Sequence, residues 1–195
     1  SKKPDDFLMD MLLKDVGIGF NDLKKTFSNI DGSIRLKKNI LSFENIKGKY
    51  GKSNIEYLNG SIKDFNKEPV IDLKAASNID LKDMLDDLKQ WQFGRTWLRT
   101  VGEINGANGF IALKAEASGN VHRKGQLLYK GAAVLKDMDI VHRDLAFPIK
   151  GINGILNFDN QRIAVDNISG KWGKANFICS GLISDYCDNQ NLNLT

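Results

Sequence analysis

The sequence predicts a mainly β protein. The expected architecture is a long curled antiparallel sheet, a half-pipe or taco-like groove, with one or two short helices; a β-sandwich is the alternative. Three observations carry this reading. Most segments alternate apolar and polar residues with period two. The 18 glycines sit mostly at strand ends and turns, and prolines number only 3. A long unit also repeats within the chain.

The repeat appears when the sequence is shifted by 122 residues. LKDVGIGFNDL (13–23) lies over LKDMDIVHRDL (135–145), IDGSIRL (30–36) over INGILNF (152–158), and LSFENIKGKYGKSN (41–54) over IAVDNISGKWGKAN (163–176). Positions 13–54 hold 15 identities in 42 aligned pairs, where chance gives about three. One deletion then moves the offset to 121, so that GSIKDF (60–65) falls on GLISDY (181–186); Cys179, still at an offset of 122, takes the place of Tyr57. We therefore read residues 1–195 as a single continuous repeat-built β domain. It comprises a first copy over about 8–74, a helix-containing insert over about 75–128, and a partial second copy over about 129–195. The chain reads as a fragment of something longer, since it stops inside an alternating run.

Taken in order, residues 5–14 have helical spacing in isolation, but their second-copy partners look like a strand, and a strand is expected. Ile34 and Leu36, then Leu41 and Phe43, share a face on either side of the polar turn Lys37-Lys38-Asn39, which predicts a hairpin. SNIEYL, GSIKDF and VIDLKA read as further short strands. NIDLKDMLDDLKQ (78–90) reads as a helix capped by Asp80. Leu81, Met84, Leu85 and Leu88 form its apolar stripe, which should cover a sheet surface or an open end. Residues 91–105 fit no element firmly. GFIALKAEASG (109–119) and QLLYKGAAVL (126–135) alternate as strands, and segments 152–158, 162–168 and 175–183 repeat the first copy. A sheet of about a dozen strands must curl or fold over to hide its apolar face. Small residues such as Ala112, Ala115, Ala117, Ala132 and Ala133 favour curling.

Composition bounds the function. Charged residues are 27 %, hydrophobic residues 42 %, and the net charge is +4 with both signs interspersed, which gives no basic stripe for nucleic acid. No apolar run reaches the ~20 residues of a membrane helix. Cys179 and Cys187 make no metal spacing, and a disulfide between them is a minor alternative to a buried Cys179 thiol. His122 and His142, the two histidines, lack nearby ligand partners.

Two motifs suggest phosphate chemistry and fail. His142-Arg143-Asp144-Leu145 matches the start of a kinase catalytic loop, but Ile149 stands where Asn is needed and no Asp-Phe-Gly follows. Only Asp-Leu persists in the first copy, as Asp22-Leu23, so a turn capped by the Asp is expected. Gly51-Lys52-Ser53 ends like a phosphate loop, but Ile46 occupies the required glycine position. Gly48 and Gly51 should instead frame a turn around Tyr50, as Gly170 and Gly173 do around Trp172. No catalytic residue, metal or cofactor is assigned, and an enzyme is not expected.

The repeated phrase I-x-G-x-(I/L)…(L/I)-x-(F/V)-(E/D)-N-I-x-G-x-(Y/W)-G-K-x-N…G-x-I, at 30–62 and 152–183, resembles the AsmA-like family, especially its YhdP-like members in bacterial envelopes. So does LKDMDIVHRDLAFPIKGINGILNF; the first copy departs in carrying Thr26 where the second has Pro148. The resemblance covers most of the chain. It implies a periplasmic β structure anchored to the inner membrane by a segment outside this sequence. It also implies a hydrophobic groove that carries phospholipid between membranes or assists outer-membrane biogenesis. Candidate lipid-lining residues are the apolar strand faces: Ile34, Leu36, Leu41, Phe43, Ile55, Tyr57, Ile111, Leu113, Leu127, Tyr129, Leu156, Phe158, Ile163, Val165 and Phe177. The alternative function is a non-catalytic structural or protein-interaction scaffold of the envelope. Oligomeric state is not legible.

Overall fold

A computed structural model describes residues 8–19, 25–89, 102–123, 125–184 and 191–194. The chain is mainly β, an antiparallel sheet that is not closed into a barrel. The strands are β1 (Leu8–Ile18), β2 (Phe27–Lys37), β3 (Ile40–Tyr50), β4 (Ser53–Lys63), β5 (Val70–Asp80), β6 (Ile104–Asn120), β7 (Leu127–His142), β8 (Ile149–Asp159), β9 (Arg162–Trp172), β10 (Ala175–Ser184) and the short β11 (Asn191–Leu194). They lie in sequence order. One helix, α1 (Leu81–Leu88), is found among the described residues.

By contact density the chain divides into two units. Unit 1 is Ser1–Ser77 with Lys114–Gly131; unit 2 is Asn78–Leu113 with Ala132–Thr195. The first repeat copy belongs to unit 1. The insert is divided, with α1 and the first half of β6 in unit 2 and the remainder in unit 1.

The strands are longer than local alternation suggests, because most carry a bulge. In unit 1 the register runs Met9–Leu36–Leu41–Ile62 in one cross-strand row and Met11–Ile34–Phe43–Gly60 in the next. Directly paired residues share a face, so these two rows are apolar on one side. Register then shifts between Leu13 and Val16 on β1, between Ser28 and Asp31 on β2, and between Phe43 and Ile46 on β3. Each shift inserts one residue, so an odd spacing returns Val16 (from Leu13), Phe27 (from Ile30) and Ile46 (from Phe43) to the apolar side. SNIEYL and GSIKDF, expected as two strands, are one strand, β4. It carries a bulge at Glu56–Tyr57, inside the first of the two expected segments, and runs on without a break through Asn59.

The bulge residues take the left-handed conformation: Asp15 (φ 52°), Asn29 (φ 51°) and Asn45 (φ 51°) in copy 1, and Asp137 (φ 44°), Gly151 (φ 59°) and Asn167 (φ 48°) at the same places in copy 2. Asp and Asn tolerate this conformation better than other side chains, and Gly better still. A bulge also frees a backbone N–H from the ladder. Here a side chain on the next strand accepts it. The Asp15 N–H donates to Asp31 Oδ1 (3.1 Å) and the Asn45 N–H to Asn59 Oδ1 (2.6 Å). In copy 2 the Asp137 N–H donates to Asn153 Oδ1 (3.0 Å) and the Asn167 N–H to Ser180 Oγ (3.0 Å). The repeated Asp/Glu-Asn-Ile phrase is therefore a bulge signature.

Copy 2 lacks one bulge. Gly48 pairs with Ile55 and Ile46 with Leu58, whereas Gly170 pairs with Phe177 and Ile168 with Cys179. Two residues, Glu56 and Tyr57, thus occupy the span that Ile178 fills alone. The one-residue deletion read from the sequence is this bulge, and Cys179 matches Leu58 rather than Tyr57.

Gly32 (φ 134°) and Gly154 (φ 152°) mark a second shared constraint. A Cβ on Gly32 would lie 2.8 Å from Asn45 O and Ile46 Cα, and one on Gly154 would lie 2.7 Å from Ile168 Cα. Here the neighbouring strand at its bulge comes too close for any side chain. The hairpin turns have Gly51 (φ 57°) and Gly173 (φ 61°) at their first central position. Gly48 and Gly170 do not frame those turns as expected. They lie inside the strands on the apolar side, where Gly48 is buried and a Cβ on Gly170 would meet the Phe177 ring at 2.8 Å.

The helix begins at Leu81, directly after its cap, and β5 runs up to Asp80. Asp80 caps it as expected, accepting the Asp83 N–H at 2.9 Å. Leu81, Leu85, Ala107, Leu135, Met138 and Ile152 form a buried cluster in unit 2, and Met84 and Leu88 pack against it. The helix stripe therefore covers a sheet surface.

Two outcomes follow. Asn45→Val and Asn167→Val should each lower stability by about 1–2 kcal/mol, the cost of a hindered side chain in the left-handed region, while Asn→Gly at either site stays near neutral. Chemical denaturation followed by circular dichroism reads the difference. Leu85→Ala should cost about 2–5 kcal/mol by leaving a cavity under α1, against less than 1 kcal/mol for exposed Asp86→Ala.

Candidate functional site

Each unit has an apolar sheet side. In unit 1 the strand register places Ile34, Leu36, Leu41, Phe43 and Ile55 together on it. All five are half-buried. No helix lies in unit 1 among the described residues. Tyr57 is separated from this set, since it sits in the β4 bulge where strict alternation fails. Leu127 and Tyr129 are half-buried on β7 and alternate with exposed Leu128 and Lys130.

In unit 2, Leu156 pairs with Val165 and Phe158 with Ile163, while Phe177 pairs with Gly170 one strand further on. Val165 is the one buried residue of the proposed lining. Ile111 and Leu156 pack against the cluster beneath α1, so the helix already occupies part of this face. Leu113 is half-buried on β6.

Sequence alternation missed Val16, Ile46 and Leu58 in unit 1 and Ile168 in unit 2, each at odd spacing across a bulge; Ile30, Ile152 and Cys179 continue the alternation of Ile34, Leu156 and Phe177. All of these share the apolar side by register. Ile30, Ile46 and Ile152 are among the most buried side chains described. Their signal was the Asn-Ile or Gly-Ile dipeptide, in which the bulge residue comes first.

The opposite side carries charge. In unit 1 Arg35 Nε donates to Asp10 Oδ1 at 2.6 Å, and this hydrogen bond with its attraction raises the guanidinium pKa above its usual range. Lys74, Glu116 and Lys130 form an ion-pair ladder at 3.3 and 3.4 Å. Hydrogen bonding to Lys74 and then Lys130, with their positive charge, holds the Glu116 carboxyl below the ordinary range. In unit 2 Asp159 accepts the backbone N–H groups of Gln161 (2.9 Å) and Arg162 (3.1 Å). The Gln161 bond leads in lowering its pKa.

Neither phosphate-chemistry motif assembles into a reaction centre among the described residues. The kinase-like stretch is a turn, as expected, but its cap is reversed: His142 Nδ1 accepts the Asp144 N–H at 3.2 Å, and Arg143 Nε pairs with Glu103 at 2.7 Å. Asp144 does not cap the turn with its own carboxylate; its Oδ1 lies 3.6 Å from Arg143. Tyr50 stacks tilted on Phe27, ring centroids 4.7 Å apart, so the turn aromatic packs on its own sheet. Trp172, its counterpart, is 49 % exposed opposite Ile149. No group of three or more potential metal ligands occurs among the described residues. Cys179 is a free, half-buried thiol; Cys187 and most of segment 91–105 lie outside the described residues.

Comparison with known proteins finds no matching family model, no matching curated protein and no matching solved structure. No helix among the described residues is long and apolar enough to cross a membrane.

The Glu116 ladder gives a pH prediction. A carboxyl whose folded pKa is depressed contributes stability above its unfolded value of about 4.3, and that contribution is lost as pH falls through the folded pKa. Glu116→Gln should therefore remove some of the acid-side slope of stability below about pH 4.3 and leave the slope near neutral pH unchanged. Thermal melts across pH read it.

Proposed function

We propose that this chain is a non-catalytic lipid-binding module whose apolar sheet side takes up phospholipid acyl chains. The observation that carries the reading is the unit 1 face, with rows of half-buried aliphatic and aromatic side chains kept on one side by capped bulges. Each acyl methylene withdrawn from water there contributes about 0.8 kcal/mol. The lining offers no polar group on Ile34, Leu36, Leu41 or Phe43 to fix a ligand's position, which suits chains that slide. The resemblance to the AsmA-like family supports the same role, and with it a periplasmic location and an inner-membrane anchor outside this sequence. A scaffold is the second reading, favoured in unit 2 by α1, which turns part of the apolar face into a closed cluster.

A photo-crosslinking amino acid separates the two. Placed at Phe43 it should label with phospholipid, and placed at Ser42, on the other side of β3, it should not. Lipid should also co-purify in native mass spectrometry. Equal labelling at both sites, or no labelling and no bound lipid, would sink the lipid reading and leave the scaffold.

A further inference from the structure

One end of unit 1 differs in chemistry from the same end of the second copy. The last cross-strand row of copy 1 is Leu8, Lys37, Ile40 and Lys63, paired in that order across β1 to β4. All four are exposed, Leu8 by 56 % and Ile40 by 38 %. The row lies on the side opposite Leu36 and Leu41, so it is no part of the apolar lining. At the same end the loops are laced together. The Asp64 N–H donates to Asn39 O (2.9 Å), the Lys67 N–H to Asp64 O (2.9 Å) and the Val121 N–H to Pro69 O (3.1 Å). These bonds bring exposed Lys38 and Lys67 beside exposed Val70 and Val121.

Among the described residues the charges do not cancel. Of the two described acids there, Glu68 pairs with Arg123, which leaves Asp64 against Lys37, Lys38, Lys63 and Lys67. None of these lysines forms an ion pair with a described residue. The second copy is an internal control. The positions that match the copy 1 row in sequence are Lys130, which lies in unit 1, and Asp159, Arg162 and Ser184 of unit 2. There Asp159 pairs with Arg162 at 3.1 Å and Lys130 with Glu116 at 3.4 Å. These positions are polar and their charged members are paired, so the alternation of aliphatic side chains with uncompensated lysines is not a requirement of the repeat.

We propose that this end of unit 1 is a membrane-docking rim for an anionic bilayer surface. The lysines meet lipid phosphates and acidic headgroups, and Leu8, Ile40, Val70 and Val121 enter the interface between them. Interfacial binding of this kind draws on buried apolar area and charge attraction together. A lysine near an anionic surface contributes about a fivefold gain in affinity. The inference does not depend on acyl chains entering the apolar face, because the two surfaces lie on opposite sides of the strands.

The test is flotation with vesicles of phosphatidylcholine, with and without phosphatidylglycerol. The protein should float with the anionic vesicles, and ~1 M salt should weaken this by screening. The triple variant Lys37→Gln, Lys38→Gln, Lys63→Gln should bind on the order of 100-fold more weakly. Lys171→Gln with Lys174→Gln, equally basic positions of copy 2, should leave binding within about twofold, since neither belongs to the rim. Leu8→Ser with Ile40→Ser should weaken binding at unchanged charge. All these positions are exposed, so the variants keep the fold, which circular dichroism verifies. Unchanged binding of the lysine triple variant, equal binding to neutral vesicles, or equal affinity for a single-stranded oligonucleotide would each overturn the proposal. Loss of crosslinking at Phe43 with vesicle binding intact would count against the acyl-chain reading alone.

Discussion

The structure depends on the capped bulge. A strand of eleven residues whose apolar side must stay on one face cannot be written by strict alternation once an extra residue enters. The left-handed Asp or Asn absorbs that residue, and its freed N–H is accepted by a side chain on the next strand. Such a hydrogen bond contributes on the order of 1 kcal/mol net. Its larger effect is on register, since a slip of one residue would turn Ile46 and Tyr50 to the charged side and Lys47 and Lys49 to the apolar one. Bulges also increase local twist, so the device that preserves the apolar side bends the strand at the same place.

This constraint explains how α1 is used. A bulged sheet with one apolar side buries its side chains only in part, and no large side chain is fully buried among the described residues. In unit 2 the helix supplies a second layer over Ala107, Met138 and Ile152, two of which are small or flexible enough to admit its leucines. The insert thus brings its own cover for the second copy. Unit 1 has no helix among its described residues, and its face keeps the half-buried character expected of a single layer.

Much of this was legible in the sequence. Alternation located the strands, and the repeat fixed their correspondence. The helical spacing of Leu81, Met84, Leu85 and Leu88 identified the one described helix and its buried stripe. What alternation could not supply was parity across a bulge. Phe43 and Ile46 differ by an odd number, so period-two counting places Ile46 on the wrong side, and β4 reads as two strands, SNIEYL and GSIKDF, with a break at Asn59. The information was present in the Asn-Ile phrase, but its meaning is a backbone conformation and a hydrogen bond to another strand, Asn59 or Ser180. Neither is visible as a local pattern. The turn at Asp144 failed for a related reason: the sequence shows which groups can accept a hydrogen bond there, and only the backbone path selects the His142 ring over the Asp144 carboxylate.

The two copies together show what the fold holds fixed and what it lets vary. Left-handed positions recur in both: Asp15 and Asp137, Gly32 and Gly154, Asn45 and Asn167, Gly51 and Gly173. The lining does not recur in kind, only in character. Leu36 stands against Phe158, Phe43 against Val165, and Ile55 against Phe177, exchanges that alter side-chain volume and shape while keeping the surface apolar. A site that recognised one rigid ligand would need matched shape and at least one placed polar group to orient it. A surface that needs only to be apolar and continuous tolerates these exchanges, because transfer from water depends on area rather than on fit. The pattern of variation thus argues for a ligand without a fixed shape, and an acyl chain is one.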